Sequence, residues 1–272
     1  MKQLQAAIST SRPFAADANI NVQPASSDIR SMSKAKAEQR MPFTIRIVDD
    51  EPALLKAVDI RQSAYGRHIP ELASTLGAPE QADHEAGSIV LLAESKLDGT
   101  SLGTMRIQTN CFQPLGVEKS VTLPDWLQGC SLAEATRLGV SGGQVGRVVK
   151  TMLFKAFFEY CVAQKIDWMV ITARSPLDRQ YEGLLFQDVF PNLGFIPMGH
   201  VGNLPHRVLA FEVATAQIRW KAASHPLYDF IFETNHPDLR LEPQQGMDFD
   251  HLDVLAELSF RPETGRARAL IA

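Results

Sequence analysis

The residues of this chain best suited to chemistry lie in one short run, Glu134-Ala135-Thr136-Arg137-Leu138-Gly139-Val140, followed by a loop containing Gly142, Gly143 and Gly146. A carboxylate such as Glu134 takes a proton from a nucleophile within hydrogen-bond reach. A guanidinium such as Arg137 holds a carboxylate bidentately. On a regular strand, residues three apart point to opposite faces, because side chains alternate with period two. Glu134 and Arg137 share a site only if a bulge breaks that alternation; the competing reading is a structural salt bridge tying a sheet to a neighbouring helix. Other chemistries lack support: the His residues show no metal-ligand spacing, no GxSxG run occurs and Cys130 has no His near it, so neither a metal nor a covalent nucleophile is expected.

Several elements must position these residues. Phe43-Thr44-Ile45-Arg46-Ile47-Val48 alternates and reads as a strand. Asp50 then caps a helix with Pro52 in its first turn, and Leu54, Leu55, Val58 and Ile60 face a core as the helix runs through Arg61 to Tyr65. Ile89–Ala93 and Leu102–Ile107 flank Asp98-Gly99, a hairpin turn signal. From about Gly146 to Lys165, Val149, Met152, Leu153, Ala156, Phe157 and Tyr160 recur at helical spacing. Ile166–Ala173 reads as a buried strand, so strand, glycine loop, helix and strand form a parallel crossover. A helix over Leu177–Phe190, a hairpin of Ile196–His200 and Val208–Val213 through Gly202-Asn203, and helical stretches at Leu227–Phe232 and His251–Leu258 complete the chain. The domain reading is a mobile leader over 1–41, a core over 42–213, and a helical C-terminal extension over 214–272 packed on the core. This order of elements is α/β, three layers around a mixed sheet.

Composition narrows the function. The net charge of −4 becomes −7 once residues 1–40, mildly positive, are set aside, so nothing draws the folded part to phosphate backbones and no nucleic-acid partner is expected. Cys111, Cys130 and Cys161 are odd in number and widely spaced, which reads as reduced thiols in a cytoplasmic protein. No apolar run approaches the roughly 20 residues a membrane span needs.

Four segments, in order, are similar to motifs of the GNAT acyltransferase superfamily, in the branch shared by N-acyl amino acid synthases and acyl-homoserine-lactone synthases. Ile60-Arg61-Gln62-Ser63-Ala64-Tyr65 resembles the branch's helical LRxxVY segment, Gly103-Thr104-Met105-Arg106-Ile107 its GxxRL, Glu134 to Val140 its ExxRxxV, and Leu193-Gly194-Phe195 precedes the last hairpin. The resemblance covers about residues 43–213 and implies a GNAT-like fold with a mostly antiparallel, splayed sheet flanked by helices.

It also implies roles. Relatives bulge the strand here, so the backbone from Leu138 to Val140 would polarise a thioester carbonyl. An amine acceptor must lose a proton before attack, which makes Glu134, with Arg137 beside it, the catalytic candidate. Arg61, Arg106 and Asp83 are candidates for binding the acceptor; the alternative is that both arginines salt-bridge acidic loop residues such as Asp83 and Glu85. Gly142, Gly143 and Gly146 would admit a pantetheine phosphate, while Gln144-Val145-Gly146-Arg147 departs from the pyrophosphate loop of acetyl-CoA enzymes. Acyl-carrier protein is therefore the favoured donor over acyl-CoA, with Arg147 and Lys150 as its landing patch, and no cofactor beyond the donor is implied. The Phe154–Phe158 stripe reads as core or as an acyl tunnel, and Tyr181 as packing or as a proton donor to the thiolate. The expected function is an N-acyltransferase acting on an amino acid or small amine. Alternatives are a lactone synthase, an acetyl-CoA-dependent enzyme, or a GNAT-like regulator that binds acyl carriers without catalysis.

Overall fold

Capping and alternation place the first elements where the sequence puts them. The computed structural model describes residues 36–242, all within the second of two units, Met1–Ala35 and Lys36–Ala272. In chain order the elements are β1 (Ala37–Glu38), β2 (Phe43–Ile47), α1 (Glu51–Gly66), α2 (Pro70–Ala73), β3 (Ser88–Ser95), β4 (Ser101–Thr109), α3 (Gly116–Ser120), β5 (Leu132–Val140), α4 (Gly143–Ala163), β6 (Trp168–Ala173), α5 (Leu177–Gly183), β7 (Gln187–Asp188), β8 (Ile196–Met198), β9 (Leu204–Glu212), α6 (Ala216–Ala222), β10 (Thr234–Asn235) and β11 (Leu239–Arg240). Asp50 caps α1 by accepting the Ala53 N–H at 2.6 Å, with Pro52 in the first turn.

The main sheet runs β11-β2-β3-β4-β5-β6-β9-β7, with β8 paired to β9. The β11/β2 and β5/β6 pairs are parallel and the rest antiparallel. The β5–α4–β6 crossover is thus present. Pairing between β5 and β6 stops at Ala135 and Ile171, beyond which β5 has no strand on that side among the described residues.

Alternation along the strands sorts side chains onto two faces. Leu91, Met105, Ile107 and Ala133 face α4, whose Val149, Met152, Leu153 and Phe157 are all buried against them. Val90 and Leu92 face α1 through Ala53, Leu54 and Ala57. Gly139 brings α1 close: a Cβ there would lie 3.1 Å from the Arg61 Cα and 3.3 Å from the Ile60 carbonyl oxygen. That approach sets Arg61 directly over β5.

Three expectations change. Residues 36–41, assigned to the leader, belong to the folded unit: β1 pairs with β10, and the Met41 N–H donates to Asp238 at 2.7 Å. The helix expected over Leu177–Phe190 stops at Gly183, because Leu185 turns left-handed (φ 67°) and drives Phe186 into the core. The extension is only partly helical. After α6 and a wide helical turn at Asp229–Glu233 it returns as β10 and β11, the latter adding an edge strand to β2. The His251–Leu258 helix lies outside the described residues.

Gly146 fixes the start of α4. A Cβ there would lie 1.8 Å from the Ser141 carbonyl oxygen, a backbone atom that cannot swing aside. We expect Gly146→Ala to lower stability by about 1–3 kcal/mol, read as a fall in the urea midpoint without a change in slope.

Candidate functional site

The alternation of β5 breaks at its centre. Arg106 of β4 opposes Thr136 while Thr104 opposes Gly139, so Met105 faces two residues, Arg137 and Leu138. Arg137 has φ 54°, a left-handed conformation rare for a residue with a side chain. The bulge puts Thr136 and Arg137, neighbours in sequence, on the α1 side, and Leu138 on the α4 side. Glu134 points the same way as Thr136 by strand period. The bulge that Glu134 and Arg137 need to share a face is therefore present.

On the α1 side a buried ion-pair network forms. Arg61, fully buried, grips Asp83 with two bonds of 2.9 Å and reaches Glu80 at 3.3 Å. Arg106 donates to Thr136 (3.1 Å), Glu80 (3.0 Å) and Asp83 (3.1 Å). Arg137 closes on Glu80 with two bonds of 2.6 Å. Burial alone would raise both carboxyls, but the arginine hydrogen bonds and charges outweigh it and hold Glu80 and Asp83 below the usual range.

Arg61 and Arg106 thus both donate to Asp83, and the three residues hold the loop at residues 80–83 against α1 and β4. The salt-bridge alternative holds with one change of partner. Glu80 stands where Glu85 was expected, while Glu85 accepts from Gln113 instead. Glu80 is a residue the sequence reading missed. Its signal was reciprocal capping: Glu80 and Asp83, three apart, cap the turn at Gln81–Asp83 from both ends. Tyr65 of α1 sits within reach of the Arg137 charge and was likewise missed as a neighbour of the site.

Glu134 is fully buried, and one carboxylate oxygen accepts the Val117 N–H of α3 at 3.1 Å. Burial pushes its pKa up to about 7, against the lowering effect of the Val117 bond and the Arg106 charge. Glu134 accepts from Val117 of α3 and Arg137 closes on Glu80, and the two side chains share one face of β5.

On the α4 side, a cavity of about 180 Å³ opens where β5 and β6 part. Met105, Leu138, Phe154 and Phe157 make it apolar, and Tyr181 of α5 lines it. Phe154 and Phe157 serve as wall and core at once. Burial raises the Tyr181 pKa and keeps the hydroxyl protonated. Lys150 lines the cavity, half-buried, and bonds Gln180, while Arg147 is exposed. Gly142 and Gly143 are exposed at the N-terminus of α4, where no side chain caps the helix, while Gly146 is buried and Val140 ends β5 opposite Gly103. Among the described residues, no cluster of His, Cys, Asp or Glu suits a metal ion and no helix is long and apolar enough to cross a membrane. The three cysteines are free thiols.

The network carries a stability prediction. Asp83→Asn strands Arg61 without its bidentate partner, and we expect a loss of about 3–5 kcal/mol at neutral pH. Because Glu80 and Asp83 have lowered pKa values in the fold, their contribution is full above the ordinary carboxylate range and vanishes as pH falls through the folded values. The wild type should therefore lose stability steeply on acidification below about pH 4, and the variant less so, as measured by denaturant melts across pH.

No protein-family model matches the sequence, and the search of curated proteins gives no match. Among solved structures, FeeM, an N-acyl amino acid synthase from uncultured soil microbes, superposes with a TM-score of 0.53 at 19% identity, over 69% of this chain and 97% of that one. The CoA-dependent acyl-homoserine lactone synthase BjaI gives 0.49 at 14% identity, over 79% and 99%, and the lactone synthase LasI 0.43 at 16%, over 63% and 90%. The splayed mixed sheet, the bulged β5, the crossover through α4 and the FeeM superposition agree: the chain has the GNAT-like fold.

Proposed function

We propose that the protein is an N-acyltransferase that moves a medium or long acyl chain from acyl-carrier protein to the amino group of an amino acid or a related small amine. The observation that carries this reading is the apolar cavity at the parting of β5 and β6, set against the bulged strand. A thioester lying in that gap would present its carbonyl to the β5 edge from Leu138 to Val140, where backbone N–H groups stabilise an oxyanion. FeeM, whose fold this chain shares, is an N-acyl amino acid synthase, which agrees with the reading.

For the donor, the uncapped N-terminus of the 21-residue α4 offers N–H groups and a favourable dipole to one phosphodiester. Exposed Arg147, one turn in, suits an acidic carrier surface. For the acceptor, the Arg61, Arg106 and Arg137 guanidinium groups gathered on the α1 side of β5 favour an amine that also bears a carboxylate. In the reaction the amine nitrogen bonds the thioester carbon as the carbon–sulfur bond breaks. The proton lost by the amine goes to Glu134, and Tyr181 is the group that would return one to the thiolate. Since α3 covers Glu134, the transfer proceeds through water or after α3 moves aside.

The base requires a particular pH profile. Deprotonated Glu134 is the active form, so kcat/KM should rise with pH through an apparent pKa near 7. Glu134→Gln should remove that limb and lower kcat by about 10²–10⁴-fold; a limb at ordinary carboxylate values would assign the base elsewhere. The donor assignment is checked by incubating the protein with octanoyl- and palmitoyl-carrier protein and pooled amino acids. Mass spectrometry should find acylated amino acid, and its absence would count against the function. Arg147→Glu should raise the KM for carrier protein more than that for acyl-CoA.

A further inference from the structure

The cavity wall includes one residue from beyond β9, Leu227, supplied by the C-terminal extension. Leu227 follows α6 and packs half-buried against the main core. Its backbone is pinned: the Leu227 N–H donates to His225 Nδ1 at 3.1 Å, which leaves Nε2 as the donor to the Gly183 carbonyl at 2.9 Å. Two further side chains of the extension bind the next carbonyls, Trp220 Nε1 to Leu184 at 3.1 Å and Arg219 to Leu185 at 2.9 Å. These three carbonyls lie at the end of α5, the helix that brings Gln180 and Tyr181 to the cavity.

The extension is also fastened to α4. The Trp220 ring stacks on Phe154 at 6.0 Å with a 6° interplanar angle, one turn, or about 6 Å, farther along α4 than Lys150. Buried Lys155 donates to the carbonyls of Phe230 (3.0 Å) and Thr234 (2.5 Å) and lies 2.9 Å from His236 Nδ1. The strap is therefore held on both sides of Leu227, by bonds to the end of α5 before it and to Lys155 of α4 after it. The cavity it helps close, about 180 Å³, is smaller than the roughly 300–1,000 Å³ of ordinary ligand pockets.

We propose that the C-terminal extension is the chain-length gauge of the acyl pocket, with Leu227 as the specificity-determining residue and medium-length saturated chains as the preferred acyl group. This rests on the acyltransferase reading above. Removing methylenes from a pocket wall makes room for methylenes of substrate, and one such group changes relative kcat/KM by about 10–200-fold.

The full chain, wild type and Leu227→Ala, Leu227→Met and Leu227→Trp, is assayed with saturated acyl donors from butanoyl to hexadecanoyl, with melting curves to show that each variant folds. Leu227→Ala should move the kcat/KM optimum to longer donors, changing the long-to-short ratio roughly tenfold or more. Leu227→Trp should move it to shorter ones, and Leu227→Met should stay with the wild type. An optimum unchanged across all four overturns the gauge and leaves the transferase standing. If the wild type acylates nothing, the transferase reading falls. The gauge is then decided by displacement of a fluorescent fatty acid with free saturated fatty acids of the same lengths: a shift to longer acids in Leu227→Ala upholds it, and identical profiles overturn it. Should Leu227→Ala fail to fold, Leu227→Val serves in both assays.

Discussion

One irregularity, the bulge at Arg137 and Leu138, governs the site. A non-glycine residue at φ 54° costs on the order of 1–3 kcal/mol and persists only where its surroundings fix it. Here the two bonds from Arg137 to Glu80 do so. Because of the bulge, two adjacent residues face α1 and the next lines the cavity, so the ion-pair network and the apolar pocket occupy opposite faces of one strand. A regular β5 would turn Arg137 toward the α4 side and leave Glu80 without its principal partner.

The network itself is a compromise between burial and charge. Arg61 and Asp83 are withdrawn from water completely, which is tolerable only because their bonds are bidentate and Arg106 and Glu80 surround them. For Glu134 burial outweighs the Val117 bond and the Arg106 charge and dominates its titration. Two kinds of carboxyl thus lie within one region of the sheet, one kept ionised and one poised near neutrality. Such divergence is how a fold separates scaffolding acids from reactive ones.

The helix α4 joins this region to the remainder of the chain. Its start is set by the close contact of Gly146 with Ser141, its middle walls the cavity, and its Lys155 anchors the returning extension. The extension closes the fold at both sheet margins: β11 extends the edge beside β2, and Trp220, His225 and Arg219 satisfy carbonyls at the end of α5 that helix geometry leaves open.

Local rules made much of this legible. Alternation gave β2, the Asp98-Gly99 turn gave β3 and β4, a buried apolar run gave β6, the Asp50 cap gave α1, helical spacing gave α4, and the Glu134-x-x-Arg137 spacing made a shared site conditional on a bulge. These are properties of short windows, where side-chain period and capping act without reference to distant residues. The partners were not legible. Glu80 meets Arg137 across 57 positions, Lys155 meets Thr234 across 79, and Leu227 reaches the cavity only because the extension folds back. The sequence by itself determined most strands and helices of the core and named the candidate groups for chemistry. Only the tertiary structure decided which charges neutralise one another, which carboxyl is stripped of water, and which side chain closes the pocket, because these depend on burial and on contacts between residues remote along the chain.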